Sequence, residues 1–390
     1  MKILFVHNFY QQFGGEDSVA QVESRMLKER GQDLLVWTRH NDEIKNYNAL
    51  QKIAFFPRTI SSRKTVSDVR EAVQKFRPDV AYLHNIYPLI SPSIYDALRQ
   101  EGVPSVQVLH DFRPFCSNGW FYINGKVCEK CKPGNHIHAV LNRCYRDSFT
   151  LSALYAATMQ YNRWAGLVDK VDAFICLTGF FKQKAIEAGV PESKIFVRPN
   201  FITAPQWDTP AQTGNYAVYV GRLSNEKGVQ TLLRAFQQLP DVPLKVVGTG
   251  PAEAEQKAYA EQHKLTNVEF VGFKSGDEKW DLVRRARFAV VSSEWYENFP
   301  ISVLEHFAAS KPVVASRIGG LPYIIEDGKT GYLYEAGNAD DLAAKVRQII
   351  ADPVRAAEMG SLGRKLVETR YGPEEGYNNL INILEKVIAR

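Results

Sequence analysis

The feature that most constrains this chain is an alternation of short apolar runs with amphipathic helical stretches, which proceeds through one half and then starts again. KILFVHNFY, DLLVWTRH, PDVAYLHN, PSVQVLHDF, DAFICLT and KIFVRPN have strand length, and a helical pattern separates most neighbours. After a linker punctuated by Pro199, Pro205 and Pro210, the pattern resumes with YAVYV, LKVVG, NVEFVGF, FAVVSS and PVVAS. Strands alternating with helices predict open sheets covered on their faces by helices. The fold class is therefore α/β, with residues 1–199 forming one domain and 200–372 a second. The final stretch, 373–390, reads as an amphipathic helix able to pack on either.

Composition narrows the classes of function. The chain has 390 residues, 45% hydrophobic and 23% charged, an ordinary globular balance. No apolar run approaches the roughly 18 residues of a bilayer span, and MKILFVHNF is too short for a secretory leader. A cytoplasmic setting with reduced cysteines is the expectation. Net charge is +5 but uneven, because residues 1–199 carry 26 Lys and Arg against 19 Asp and Glu, while 200–390 carry 22 against 24. A basic first half suits an anionic partner there. Residues 52–77 hold seven basic and two acidic residues beside Phe55, Phe56 and Ile60. That stretch fits a peripheral contact with the inner face of an anionic membrane, or simply a solvated helix face.

Ligand-binding residues in open α/β sheets sit at the carboxyl ends of strands. The first strand is followed by Gly14 and Gly15 and then a helix, a turn that lets a phosphate approach backbone, or a plain tight turn. His84 and Asn85 end one strand, and His110 and Asp111 end another. His110 is expected to donate to a sugar-like hydroxyl. Residues 112–147 interrupt the alternation with a polar insert. Its Cys116, Cys128, Cys131 and Cys144 make a C-x11-C-x2-C-x12-C pattern. Four thiols including a CxxC pair suit a structural zinc in a reducing compartment; disulfides or free thiols are the alternatives. His136 and His138 are spare ligands, and Cys176 reads as a strand residue. No basic recognition helix accompanies the cysteines, so nucleic acid is not expected.

In the second half, Gly221 to Gly228 (GRLSNEKG) places Arg222 and Lys227 at the start of a helix, where a bidentate fork and a point charge suit a pyrophosphate. Ser292–Ala315 contains Glu297 in a loop and Glu305 eight residues on, inside a helix opened by Pro300. Each half is thus a candidate Rossmann-like sheet.

Taken in order, Gly14-Gly15-Glu16, strand-end His110, GRLxxEKG and E-x7-E followed by KPVVAS resemble glycosyltransferase family 4, retaining enzymes of the GT-B fold. The resemblance covers nearly the whole chain apart from the cysteine insert. It implies two Rossmann-like domains facing across a cleft, with the last helix returning to the first. It implies that Arg222 and Lys227 neutralise a donor diphosphate, and that Gly14, Gly15 and Gly221 admit it. Glu297, Asn298 and Phe299 would meet the transferred sugar together with His110. Glu305 would hold ribose, and Gly319, Gly320 and Leu321 would line the same site. The family's usual GFG after the first glutamate is here Asn298-Phe299-Pro300, a stiffer loop, so sugar preference does not transfer. Cysteine inserts at this point occur in bacterial members of cell-surface polysaccharide type.

No DxD-like acidic pair stands at a strand end, so the diphosphate is expected to be held without a divalent metal. The implied reaction is transfer from a UDP- or GDP-type sugar to a lipid-linked glycan, with the acceptor proton taken by the leaving phosphate. A nucleotide-sugar epimerase of the same fold and a zinc-stapled, non-catalytic scaffold are the competing readings. The absence of GxGxxG after the first strand disfavours a nicotinamide dehydrogenase.

Overall fold

A computed structural model of the chain describes residues 1–11, 14–48, 55–132, 134–207 and 214–390. Lys52 of the basic stretch and Pro210 of the linker lie outside the described residues.

The chain divides into two compact units. One comprises Met1–Phe121, Glu129–Pro199 and Tyr377–Arg390, and the other Tyr122–Cys128 and Asn200–Gly376. The first unit is built on a six-stranded, all-parallel sheet: β1 (Lys2–Phe9), β2 (Asp33–His40), β3 (Val80–Leu83), β4 (Ser105–Leu109), β7 (Ala173–Cys176) and β8 (Ile195–Val197), in the order β2-β1-β3-β4-β7-β8. The intervening β5 (Tyr122–Ile123) and β6 (Lys126–Val127) pair as a small antiparallel hairpin. β3, β4 and β7 are buried at every residue, as expected of strands covered on both faces, whereas the edge strand β2 is largely open.

The second unit repeats the plan. Its sheet is ordered β11-β10-β9-β12-β13-β14, with β9 Ala217–Val220, β10 Leu244–Val247, β11 Val268–Gly272, β12 Phe288–Val291, β13 Val313–Ser316 and β14 Gly331–Tyr334, again all parallel. Helix Val229–Gln237 buries Val229, Leu232, Leu233 and Phe236 against this sheet, and helix Ala339–Ala351 adds Leu342 and Val346 to the same core. Among its described residues each unit is therefore a Rossmann-like sheet.

Strand order matters because it reverses once in each sheet. The reversal lies between β1 and β3 in the first unit and between β9 and β12 in the second. Neighbouring strands there send their connections to opposite faces, which opens a crevice at their carboxyl ends. The final helix, Pro373–Ile388, runs from one unit into the other. Leu380, Ile383, Leu384 and Val387 are buried, and Tyr377 Oη accepts from Gln32 Nε2 at 2.7 Å.

No helix among the described residues is long and apolar enough to cross a membrane.

Candidate functional site

In the second unit the loops that leave β9 and β12, where the strand order reverses, bring Lys227 and Glu297 together. Lys227 ends a short 3-10 turn after β9, and Gly228 follows it in the left-handed region at φ 64°. A Cβ at Gly228 would lie 1.9 Å from the Ser292 carbonyl oxygen, so glycine is required by both conformation and space. Ser292 Oγ donates to Lys227 O at 2.8 Å, tying the β12 exit to the GRLSNEKG loop.

Glu297 is 5% exposed. Its Oε1 receives Lys227 Nζ at 2.6 Å, Ser293 Oγ at 2.5 Å and Trp295 Nε1 at 3.0 Å. Lys227 Nζ also sits 5.0 Å over the Trp295 ring. Burial pushes the Glu297 carboxyl up. The Lys227 ammonium and the Ser293 and Trp295 hydrogen bonds outweigh this and hold it below its ordinary value. Glu297 is therefore ionised at neutral pH and fixed in place. Gly320 N donates to Glu297 O at 2.6 Å. Gly319 has φ 59°, and a Cβ there would meet Glu297 O at 2.6 Å, so the Gly319-Gly320 pair lets the β13 exit lie against the Glu297 loop.

Arg222 is half-exposed and engaged. Its Nη2 lies 2.5 Å from Glu226 Oε1 and its Nε donates to Ser224 Oγ at 3.2 Å, while Ser224 Oγ donates to the same Glu226 oxygen at 2.6 Å. Both cations expected to receive a diphosphate thus carry a carboxylate partner. Glu226, Ser293 and Trp295 were not singled out from the sequence. Glu226 sits inside GRLSNEKG and Ser293 and Trp295 within the Glu297 stretch, so position beside the motif was the available signal.

Glu305 lies in helix Ile301–Ala308 and pairs with Lys279 Nζ at 2.6 Å rather than with Arg222 or Lys227. Asn298 and Phe299 are buried, and Phe299 meets Tyr371 edge-on at 5.6 Å. Leu321 is fully buried, so its side chain serves the core. Gly221 directly follows β9, and a Cβ there would press on the Tyr219 hydroxyl at 2.8 Å.

In the first unit, Gly14 and Gly15 open helix Gly15–Glu29. Neither has positive φ; a Cβ at Gly15 would meet nothing within 4 Å, and one at Gly14 only Asp17 Oδ2 at 4.0 Å. Among the described residues the turn does not demand glycine. Buried Asp17 accepts from Gly14 N at 2.9 Å and contacts His7 Nε2 at 2.8 Å. Glu16 accepts from Tyr10 Oη at 2.6 Å. Burial first, then the Asp111 carboxylate, raises Glu16 to about 8. Asp111 in turn pairs with Arg113 at 2.9 Å.

His110, at the end of β4, belongs to a buried chain. Arg198 Nη1 lies 2.5 Å from Glu23 Oε1, Tyr82 Oη donates to Glu23 Oε2 at 2.6 Å, and His84 Nε2 lies 3.3 Å from that oxygen. His84 Nδ1 is 2.9 Å from His110 Nε2. Burial alone would raise Glu23, but Arg198 and the His84 and Tyr82 contacts hold it well below the usual range. With the His84 proton assigned to the nitrogen that faces that carboxylate, His84 Nδ1 accepts and His110 Nε2 donates. Burial lowers both histidines, so each is neutral. In that tautomer His110 Nδ1 carries no proton. Glu23 and Arg198 carry no motif, which is why sequence reading passed over them.

Among the described residues no disulfide joins the four cysteines, and no group of three or more His, Cys, Asp or Glu is placed to hold a metal. Cys128 lies in the segment that groups with the second unit, and the other three lie in the first. Helix Arg63–Phe76, from the basic stretch, turns Arg63, Lys64, Arg70 and Lys75 outward, with Lys64, Arg70 and Lys75 paired to Asp68, Glu101 and Glu71. Its exposed face is polar.

Two family models match end to end: "Glycosyltransferase Family 4" over residues 13–204 and "Glycosyl transferases group 1" over 204–366. A glycogen synthase of Mycobacterium tuberculosis is 30% identical over 75% of this chain and 65% of its own length. A lipopolysaccharide 1,2-N-acetylglucosaminetransferase of Salmonella typhimurium is 29% identical over 52% of this chain and 59% of its own. The chain thus spans less than two thirds of these curated relatives. The Anabaena protein HepE, solved with UDP and glucose, superimposes with a TM-score of 0.69 at 18% identity, covering 99% of this chain and 100% of its own.

Proposed function

The chain belongs to the GT-B glycosyltransferases of family 4 type, and from that premise we propose that it moves a sugar from a nucleotide diphosphate to a hydroxyl of a lipid-linked glycan, with retention at the anomeric carbon. The observation that carries this is the Lys227–Glu297 pair at the β9/β12 crevice, 2.6 Å apart and held by Ser293 and Trp295. A cation held beside an ordered carboxylate suits a ligand that joins an anionic leaving group to a hydroxylated ring.

In this reading the diphosphate takes Lys227 and draws Arg222 from Glu226. The bond between the anomeric carbon and the diphosphate oxygen breaks, a bond to the acceptor oxygen forms on the same face, and the acceptor proton passes to the departing phosphate. Lys227 and Arg222 stabilise the charge that develops on that phosphate. Glu297 Oε2 is assigned to a hydroxyl of the sugar. His110, with Nδ1 as acceptor, receives a hydrogen bond from a hydroxyl of a sugar ligand, and Glu305 is assigned to ribose at the cost of its contact with Lys279. The name of one relative, a lipopolysaccharide 1,2-N-acetylglucosaminetransferase, supports an acceptor of the cell-surface glycan type. HepE solved with UDP supports a uridine donor.

Incubation with UDP-, GDP- and ADP-sugars and glycolipid acceptors, followed by NMR of the product, tests the proposal. Release of nucleoside diphosphate with a retained anomeric configuration, abolished by Glu297→Ala, is expected. Full activity in Glu297→Ala removes Glu297 from the mechanism. Interconversion of the nucleotide sugar without any acceptor would select the epimerase.

A further inference from the structure

We infer that the face formed by helices Ile137–Leu141 and Phe149–Trp164 is a docking surface for an anionic lipid bilayer. Helix Phe149–Trp164 has sixteen residues and no Asp or Glu. Leu154, Ala157, Tyr161 and Trp164 follow at helical spacing, and all four are exposed. Trp164 is 80% exposed. With the Gln160 amide turned to satisfy both neighbours, Trp164 Nε1 donates to it at 2.9 Å, and the Gln160 amide nitrogen donates to Gly134 O at 3.0 Å. The one polar atom of the indole is thus satisfied within the protein, and what it offers outward is apolar. An amphipathic ring of this kind suits the boundary of a bilayer.

Two other elements pack on this helix. Helix Ile137–Leu141 leaves Ile137 and Leu141 at 52% and 65% exposure, and helix Phe55–Ile60 leaves Arg58 exposed. Arg143, Arg146 and Arg163 are exposed in the same stretch, where Asp147 is the one acid between residues 137 and 164. Bare aromatic and aliphatic side chains accompanied by arginines complement headgroup phosphates over acyl chains. The exposed face of helix Arg63–Phe76 lacks such apolar groups, and three of its cations are already paired. The bilayer contact is therefore assigned to the helices after the cysteine insert together with Arg58 of the basic stretch, rather than to helix Arg63–Phe76.

This inference rests on the lipid-linked acceptor for its biological sense but is measured separately. Full-length protein is sedimented with phosphatidylcholine vesicles, with and without phosphatidylglycerol. Binding only to the anionic vesicles, weakened by salt, is expected. Trp164→Ser with Tyr161→Ser should lower the partition coefficient at least about tenfold. Arg143→Glu with Arg146→Glu should lower it about tenfold on anionic vesicles. Arg63→Glu with Lys64→Glu should leave it unchanged. Thermal unfolding of each variant confirms folding. The inference is overturned if wild type ignores anionic vesicles, or if the aromatic variant binds like wild type. It is equally overturned if light scattering shows a wild-type dimer that the aromatic variant converts to monomer, because a second copy then covers the face. Vesicle binding by a protein that no nucleotide stabilises would sink the proposed activity and leave this surface standing.

Discussion

Lys227 and Glu297 share one contact, so their substitutions should not add. Lys227→Ala leaves a buried carboxylate without its cation, and Glu297→Gln leaves the cation without its charge partner. Each is expected to slow nucleoside diphosphate release by about a hundredfold or more, with the double variant close to the worse single one. The depressed Glu297 carboxyl has a sign that can be checked. Its stabilising contribution is complete above the ordinary value of 4.5 and is lost as pH falls through the lower folded value. The stability gap between wild type and Glu297→Gln should therefore narrow as denaturation is followed below that pH. Glu16 behaves oppositely, because its folded value is raised to about 8. Wild type should lose stability relative to Glu16→Gln as pH rises from 4.5 to about 8, which denaturant midpoints at stepped pH will read; a flat difference contradicts the burial argument. At His110, nitrogen-15 NMR should find Nε2 protonated and Nδ1 bare. Glycines, cations and acids on strand-end loops announced themselves in the sequence, because each is a residue type with few other uses at such a position. Glu23 and Arg198 did not, since a buried ion pair 175 residues apart is created only when helix and strand meet.

At the level of elements, the central parallel strands were legible because β3, β7, β12 and β13 are short, largely apolar runs buried at every residue. What the pattern did not reveal is how tightly the loops of the second unit are stacked. Gly228 and Gly319 each allow a backbone-to-backbone approach that any Cβ would block. Gly228→Ala must leave the left-handed region or displace Ser292, so it should cost at least about 1–2 kcal/mol and misplace Lys227. Thermal melts and turnover should both fall; an unchanged melt contradicts the packing account. The last helix was open to either domain on pattern alone, because an amphipathic face does not name its partner. Leu384 is fully buried where the helix groups with the first unit, so Leu384→Ala should cost about 2–5 kcal/mol in denaturant unfolding. The cysteine spacing suggests a single zinc site, which metal analysis of the purified protein tests.

For the whole molecule, the account turns on the second unit carrying a nucleotide-diphosphate site at the point where its strand order reverses. Two Rossmann-like sheets, a shared family and a crevice holding Arg222, Lys227 and Glu297 converge on that claim. Occupancy should stabilise the folded chain by about 2.7 kcal/mol at a hundredfold excess over the dissociation constant. The measurement is the unfolding midpoint with UDP, GDP or ADP, beside Arg222→Ala and Lys227→Ala. The account predicts that one nucleotide raises the midpoint and that both substitutions remove the shift. If no nucleotide raises it, or if the variants are stabilised as fully as wild type, the crevice is not the donor site.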